Sequence, residues 1–361
     1  MKRITLSALL MTLFLLLGCG SGQLQAEKLA AESKISFFDS LIKIGQGFQE
    51  IFGIFGNAIG DTFGLTAVKS DDKKSKVGEH FERIKKGLED TNGKLKELSS
   101  EISEAKNANN STIEAVKGAI KGANDVFEQL IASLTKLADV TKEDALLGGH
   151  NNNAAPGAAD KDGVEAIIAG VKDIIDAAEK SDVKIEKGTE GGAITANAST
   201  DAPAVLGGNN AHAAAGAGSK LADEVTKADP WAMIDKIKNA TATTPAKLNG
   251  ADNEAGALAA SNDKADAAAG AKSNADLVAA VALKAMTKNG KFSAVDADKD
   301  IVKAAATSAV NKVLGVLDFI IRKTVSSNLD KIRETVKGIQ YSETTIEATE
   351  SSTTIQPAAA K

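Results

Sequence analysis

The residues best placed to carry chemistry are Leu16-Leu17-Gly18-Cys19, which end in the sole cysteine of 361 residues. They close a short leader: Lys2 and Arg3 give a positive start, and Leu9 to Leu17 is apolar apart from Thr12. That is the layout of a secretory signal, which is removed. A permanent bilayer-spanning helix needs about 20 apolar residues, more than this run supplies. Other reactive side chains assemble nothing comparable. Asp296, Asp298 and Asp300 have the one-three-five spacing of a calcium loop, but Ile301 and Thr307 stand where that loop requires glycine and a bidentate glutamate. Helix capping accounts for them better. His80, His150 and His212 stand alone with no metal-ligand spacing, and His150 and His212 are expected in solvated loops. Gly216-Ala217-Gly218 and Gly218-Ser219-Lys220 are incomplete as dinucleotide or phosphate loops, and no nucleophile elbow occurs. Trp231, the single tryptophan, sits beside a helix start and reads as a packing anchor rather than a binding hot spot. No catalytic, metal or cofactor site is expected, and the chain does not read as an enzyme.

Leu16-Leu17-Gly18-Cys19 resembles the lipobox of bacterial lipoproteins. The resemblance implies a diacylglycerol thioether on Cys19, cleavage just before it, and acylation of the new amine. The alternatives are ordinary cleavage with a spare cysteine, or an uncleaved anchor. Each buried CH₂ adds about 0.8 kcal/mol of membrane affinity, and more than one chain makes anchoring stable. Loss of residues 1–18 removes Lys2 and Arg3 and no acidic residue, taking the net charge from −5 to −7. Such a body has no electrostatic footprint for nucleic acid and no cationic patch for anionic lipid. With its cysteine lipidated it has no disulfide. Aromatic content of 4% and five prolines favour helices with thin, alanine-rich packing.

The elements follow from spacing. Residues 19–33 read as a lipidated tether. Phe37, Leu41, Ile44, Phe48, Ile51, Phe55, Ile59 and Phe63 recur every three or four residues, one face of a long helix. Gly56, Gly60 and Gly64 share a strip of it, where a neighbouring helix is expected to approach closely. Val68 to Gly78 is a charged turn. Phe81 to Ile102 and Ile113 to Leu137 carry two further stripes, with Ser111 and Glu114 in a capping-box pattern between them. Three such stripes predict an antiparallel bundle, with coiled-coil self-association as the competing outcome. A helix is expected over 164–178 and a brief strand over 183–185. Residues 148–162, 186–218 and 240–275 read as exposed loops, with a weakly packed alanine-rich helix inside the last. Short helices are expected through Leu221 and Val225, from Asp229-Pro230, and over 276–286. A last long helix should run over 298–338, and 341–361 should be a disordered tail. The fold class is therefore mainly α: an elongated bundle, residues 34–340 forming one domain; if its two long end helices form one bundle, the alanine- and glycine-rich part over about 148–275 is carried to a distal pole away from the lipid.

Two internal segments are more specific. Lys227-Ala228-Asp229-Pro230-Trp231-Ala232-Met233-Ile234-Asp235-Lys236-Ile237 and Ala279 to Phe292, together with the leader and Cys19, resemble the variable large lipoproteins of Borrelia, the relapsing-fever variable major proteins related to the VlsE antigen. The similarity extends over the whole chain, including 301–337. It implies an outer-membrane, lipid-anchored cell-surface protein, helical, with the lipidated N-terminal end and the long C-terminal helix near the membrane and variable loops at the far pole. It implies antigenic variation that evades host antibodies, and a partly buried helix within about Asn274 to Phe292. The alternative is an adhesin in which some of the same loops bind a host protein or glycan. A homo-oligomer also stays open.

Overall fold

A computed structural model describes residues 24–60, 67–243, 247–248, 250, 253–261, 265 and 269–342. Among the described residues nine helices occur: α1 (Leu24–Gly60), α2 (Ser75–Ser103), α3 (Asn110–Val140), α4 (Lys161–Lys180), α5 (Ala217–Lys227), α6 (Pro230–Asn239), α7 (Ala255–Ala260), α8 (Asn274–Met286) and α9 (Lys299–Lys337). Two three-residue strands, β1 (His150–Asn152) and β2 (Phe292–Ala294), pair in parallel, His150 opposite Phe292. These strands were not expected from the pattern.

The apolar stripes face inward as the periodicity requires. Phe81, Ile84, Leu88, Leu95, Leu98 and Ile102 of α2 are buried against α3, whose Ile113, Val116, Ile120, Phe127, Leu130, Leu134 and Leu137 are buried in turn. α1 lays Phe37, Ile44, Phe48, Ile51 and Phe55 on α2. α4 packs on α3 where Gly170 meets the Leu137 side chain; a Cβ there would lie 2.8 Å from it. The 39 residues of α9 make a rod of about 58 Å at 1.5 Å per residue. It is apolar and long enough to cross a membrane by composition, yet 67% of its most apolar window is buried inside this protein, which marks a core helix.

Several boundaries differ from expectation for local reasons. The tether expected over 19–33 gives way to helix at Leu24, because Glu27, Lys28, Leu29, Ala30 and Ala31 are strong helix formers. The N-cap of α3 is Asn109 rather than Ser111; its Oδ1 accepts from the Ser111 amide at 2.9 Å. No strand forms at 183–185, where Asp182 turns at φ 62° and the Val183 amide donates back to Ala178. Of the tail expected over 341–361, Tyr341 and Ser342 are ordered against the α2–α3 turn, and 343–361 lie outside the described residues. Tyr341 bridges Ala108, and the Ser342 amide donates to Asn107 O at 2.8 Å. Among the described residues no atom lies within 4 Å of a Cβ built at Gly56, so none of them is the close neighbour expected at that position. Gly64 lies outside the described residues.

The middle of the chain departs most from expectation. Residues 202–209, expected in an exposed loop, are buried around a 3-10 turn (Ala202–Leu206) capped by Gly207 at φ 95°. Small side chains let this backbone pack tightly: a Cβ on Gly208 would meet Ala269 O at 2.4 Å. The alanine-rich helix α7 is likewise buried, not loosely attached. The exposed stretches include 186–193, 197–198, 210–212 and the described parts of 239–250 apart from Ala240, Ala242 and Leu248.

Candidate functional site: an anchoring pole and a display surface

Cys19 lies outside the described residues; the helix that follows it in sequence does not. Asn107 Nδ2 donates to Ser33 O at 3.1 Å, holding the start of α1 against the α2–α3 turn. The Tyr341 ring stands edge-on to Phe37 at 5.5 Å, and Lys34 lies over the same ring. The Asn109 amide donates to Gln340 O at 2.8 Å. The first and last described helices therefore converge at one pole. α9 runs from there to the opposite pole, where Lys303 pairs with Asp71 at 3.0 Å.

The inter-helix segments wrap the distal half of α9. Asp298, expected to cap its own helix, instead caps α5: its Oδ2 accepts from the Gly216 and Gly218 amides at 2.9 and 2.8 Å. Asp229 does cap α6, accepting from the Trp231 amide at 2.9 Å, and its second oxygen accepts from the Thr189 amide. Trp231 packs edge-on against Phe319 at 5.6 Å in the wall of a groove of about 920 Å³. These contacts fix the start of the exposed 186–193 segment, and its middle is held as well: the Ala275 amide of α8 donates to Glu190 O at 2.9 Å and Glu190 pairs with Lys236, while Gly192 faces open space among the described residues.

α8 is buried along its whole length, Asn274 to Met286, deeper than the partial burial expected. Its one cation, Lys284, is fully buried and donates to Gly157 O at 2.7 Å and Ser261 O at 2.8 Å. Burial, reinforced by the charge of Lys74, lowers its pKa to about 7. Lys74 is itself buried, donates to Thr287 O and Gly290 O, and pairs with Glu143 at 3.0 Å. Burial holds its pKa below the ordinary lysine value despite that carboxylate. Asp276 at the start of α8 accepts from Ser273 Oγ at 2.6 Å and lies 3.4 Å from Lys236. The buried amines hydrogen-bond loop carbonyls to α8, a structural task. Lys284 was detectable as the lone charge in the apolar run 277–286; Lys74 sits in a charged turn and gave no such signal.

The histidines are not brought together. His80 is buried and lies 2.9 Å from Asp318 Oδ1, His150 is in β1, and His212 is exposed. Among the described residues no cluster of three or more metal-ligating side chains forms.

These features define a helical scaffold: a core bundle whose two ends meet at one pole and whose intervening segments cover the rest. The chain belongs to the Borrelia lipoprotein family, whose sequence model matches residues 48–336. It is 65% identical over 353 residues to variable large protein 14 of Borrelia hermsii, 97% of each chain being covered. It is 56% identical over 355 residues to variable large protein 12 of the same organism, covering 98% of this chain and 97% of that one. The crystal structure of the Lyme disease variable surface antigen VlsE of Borrelia burgdorferi superposes with a TM-score of 0.69 at 30% identity, over 83% of this chain and 98% of that one. The family is one of lipoproteins and surface antigens, not of enzymes.

Proposed function

We propose that this chain is an outer-surface lipoprotein, held in the outer membrane by lipid on Cys19, that acts as a variable antigen. The helical frame keeps the fold while exposed segments present changing sequence to host antibodies. The observation that carries this reading is the convergence of α1 and α9 at one pole, 14 residues from Cys19 to Ser33, with the exposed segment 186–193 rooted elsewhere on the frame. Substitution at its open positions, such as Gly192 and Ala193, disturbs little packing, because surface changes away from caps and cores cost within about 0.5 kcal/mol.

Limited proteolysis of intact cells, with fragments mapped by mass spectrometry, tests the placement. First cuts are expected within 186–193 and 239–250, while α2, α3 and α9 resist. Complete protection until the cells are lysed would put the chain inside the outer membrane and overturn the reading. Cys19→Ser should abolish incorporation of labelled palmitate and release the chain from the detergent phase.

A further inference from the structure

α1 carries two apolar seams; among the described residues one is buried and the other only partly covered, Phe38 and Phe52 packing against the core while Ile35 and Ile42 stand out. The buried seam runs through Phe37, Ile44, Phe48, Ile51 and Phe55. A second seam, Ile35, Phe38, Ile42, Gly45, Gln49 and Phe52, alternates by three and four, the a/d spacing of a heptad. At 100° per residue it lies roughly a third of a turn from the first. Ile35 and Ile42 are 48% and 52% exposed, although large apolar side chains are otherwise mostly inside. Gly45, Gly53 and Gly56 lie on or beside the seam, and a Cβ at any of them would meet nothing within 4 Å among the described residues. A second backbone therefore has room to approach.

We propose that this face of α1 pairs with α1 of a second copy, parallel and in register. Two features select that occupant. In a parallel pair the residue before one a position faces the residue after the next d position of the partner. Here those are Lys34 and Asp39, opposite in charge and both exposed; an antiparallel pair would set like against like. Glu27 and Glu32 would meet one heptad earlier, so the seam starts at about Ala31. Chains held by the same end also present α1 to one another in parallel; this step rests on the proposed lipid at Cys19. The 21-residue rise from Ile35 to Gly56 is about 32 Å, and at a helix width of about 10 Å the footprint is on the order of 300 Å² per copy. A stable free dimer buries about 800 Å² per partner. The pair is therefore weak in solution and filled at the high effective concentration of a shared membrane.

The experiment uses cells expressing the full chain with Ile42→Cys, which sets like residues across the pair, or with Lys43→Cys, exposed but off the seam. Mild oxidation is followed by non-reducing electrophoresis, and detergent-phase partitioning is read on the same samples. At least tenfold more disulfide dimer is expected for Ile42→Cys, and Ile35→Glu in the same chain should remove it. Equal cross-linking by both cysteines, or Ile42→Cys captured mainly on another polypeptide, overturns the proposal. Partitioning without the seam-specific dimer sinks the pairing and leaves the anchor. The dimer without partitioning sinks the anchor and leaves the pairing. Loss of both sinks both.

Discussion

Replacing Lys284 by methionine probes the buried amine at the centre of the fold. Methionine keeps a flexible, unbranched stem but loses the hydrogen bonds to Gly157 O and Ser261 O. At about 1 kcal/mol net for each, the variant should be less stable by roughly 2 kcal/mol at pH 8. The difference depends on pH. Folded Lys284 titrates at about 7 because of burial and then the nearby Lys74 charge, whereas an unfolded lysine titrates near 10.4. Below about pH 7 both states hold the proton, and the folded chain bears the full cost of a buried charge. Above it the folded chain releases the proton while the unfolded chain keeps it. Stability contributed by this group therefore rises with pH across the window from about 7 to 10.4. Between pH 6 and pH 8 the gain is about 1.4 kcal/mol, the equivalent of one pKa unit. The methionine variant has no such proton to release. Urea unfolding of both proteins at the two pH values should show the gap widening by about that amount at pH 8. An equal gap at both, or a narrower one at pH 8, would refute a neutral amine as the folded form.

Further outcomes follow from the same contacts. Asp298→Ala removes the acceptor of the Gly216 and Gly218 amides and should cost about 1–2 kcal/mol in urea unfolding, with Asp298→Asn recovering part of it. Leu206→Ala, in a fully buried turn, should cost about 2–5 kcal/mol by the same assay. Serine at Gly192, Ala193 and Asn197, all exposed, should together shift stability by no more than about 1 kcal/mol. Gly290→Ala should destabilise by about 1–3 kcal/mol, since its Cβ would fall 2.0 Å from Lys284 O.

The long helices were legible because their stripes repeat over many turns: the inward residues of α2 and α3 can be named from spacing alone. The middle was not, for a definite reason. Ala202 to Asn209 and α7 are buried through small side chains, and alanine and glycine carry no apolar period to count. Their burial comes from backbone proximity, such as the Ala265 and Ala269 amides donating to Gly207 O and Gly208 O, which spacing does not encode. β1 and β2 escaped notice because three residues are too few for an alternation. Asp298 was rightly read as a cap, but the helix it caps begins some 80 residues earlier, at Ala217. For the candidate site, Cys19 rests on its local motif, whereas the convergence of Ser33, Asn107 and Tyr341 is visible only in three dimensions.

The burial of α8 sets an order of assembly. Its collar is drawn from far along the chain: Lys74 reaches Thr287, and Gly157 reaches Lys284. Val68 and Asn311 exchange two hydrogen bonds, and His80 waits for Asp318. Contacts of such sequence separation slow folding, because long loops must close before they are rewarded. The core therefore cannot close until most of α9 is present. A chain moving through an export channel leader first would keep its middle open until nearly all of it had passed, and would then shut in one late cooperative step.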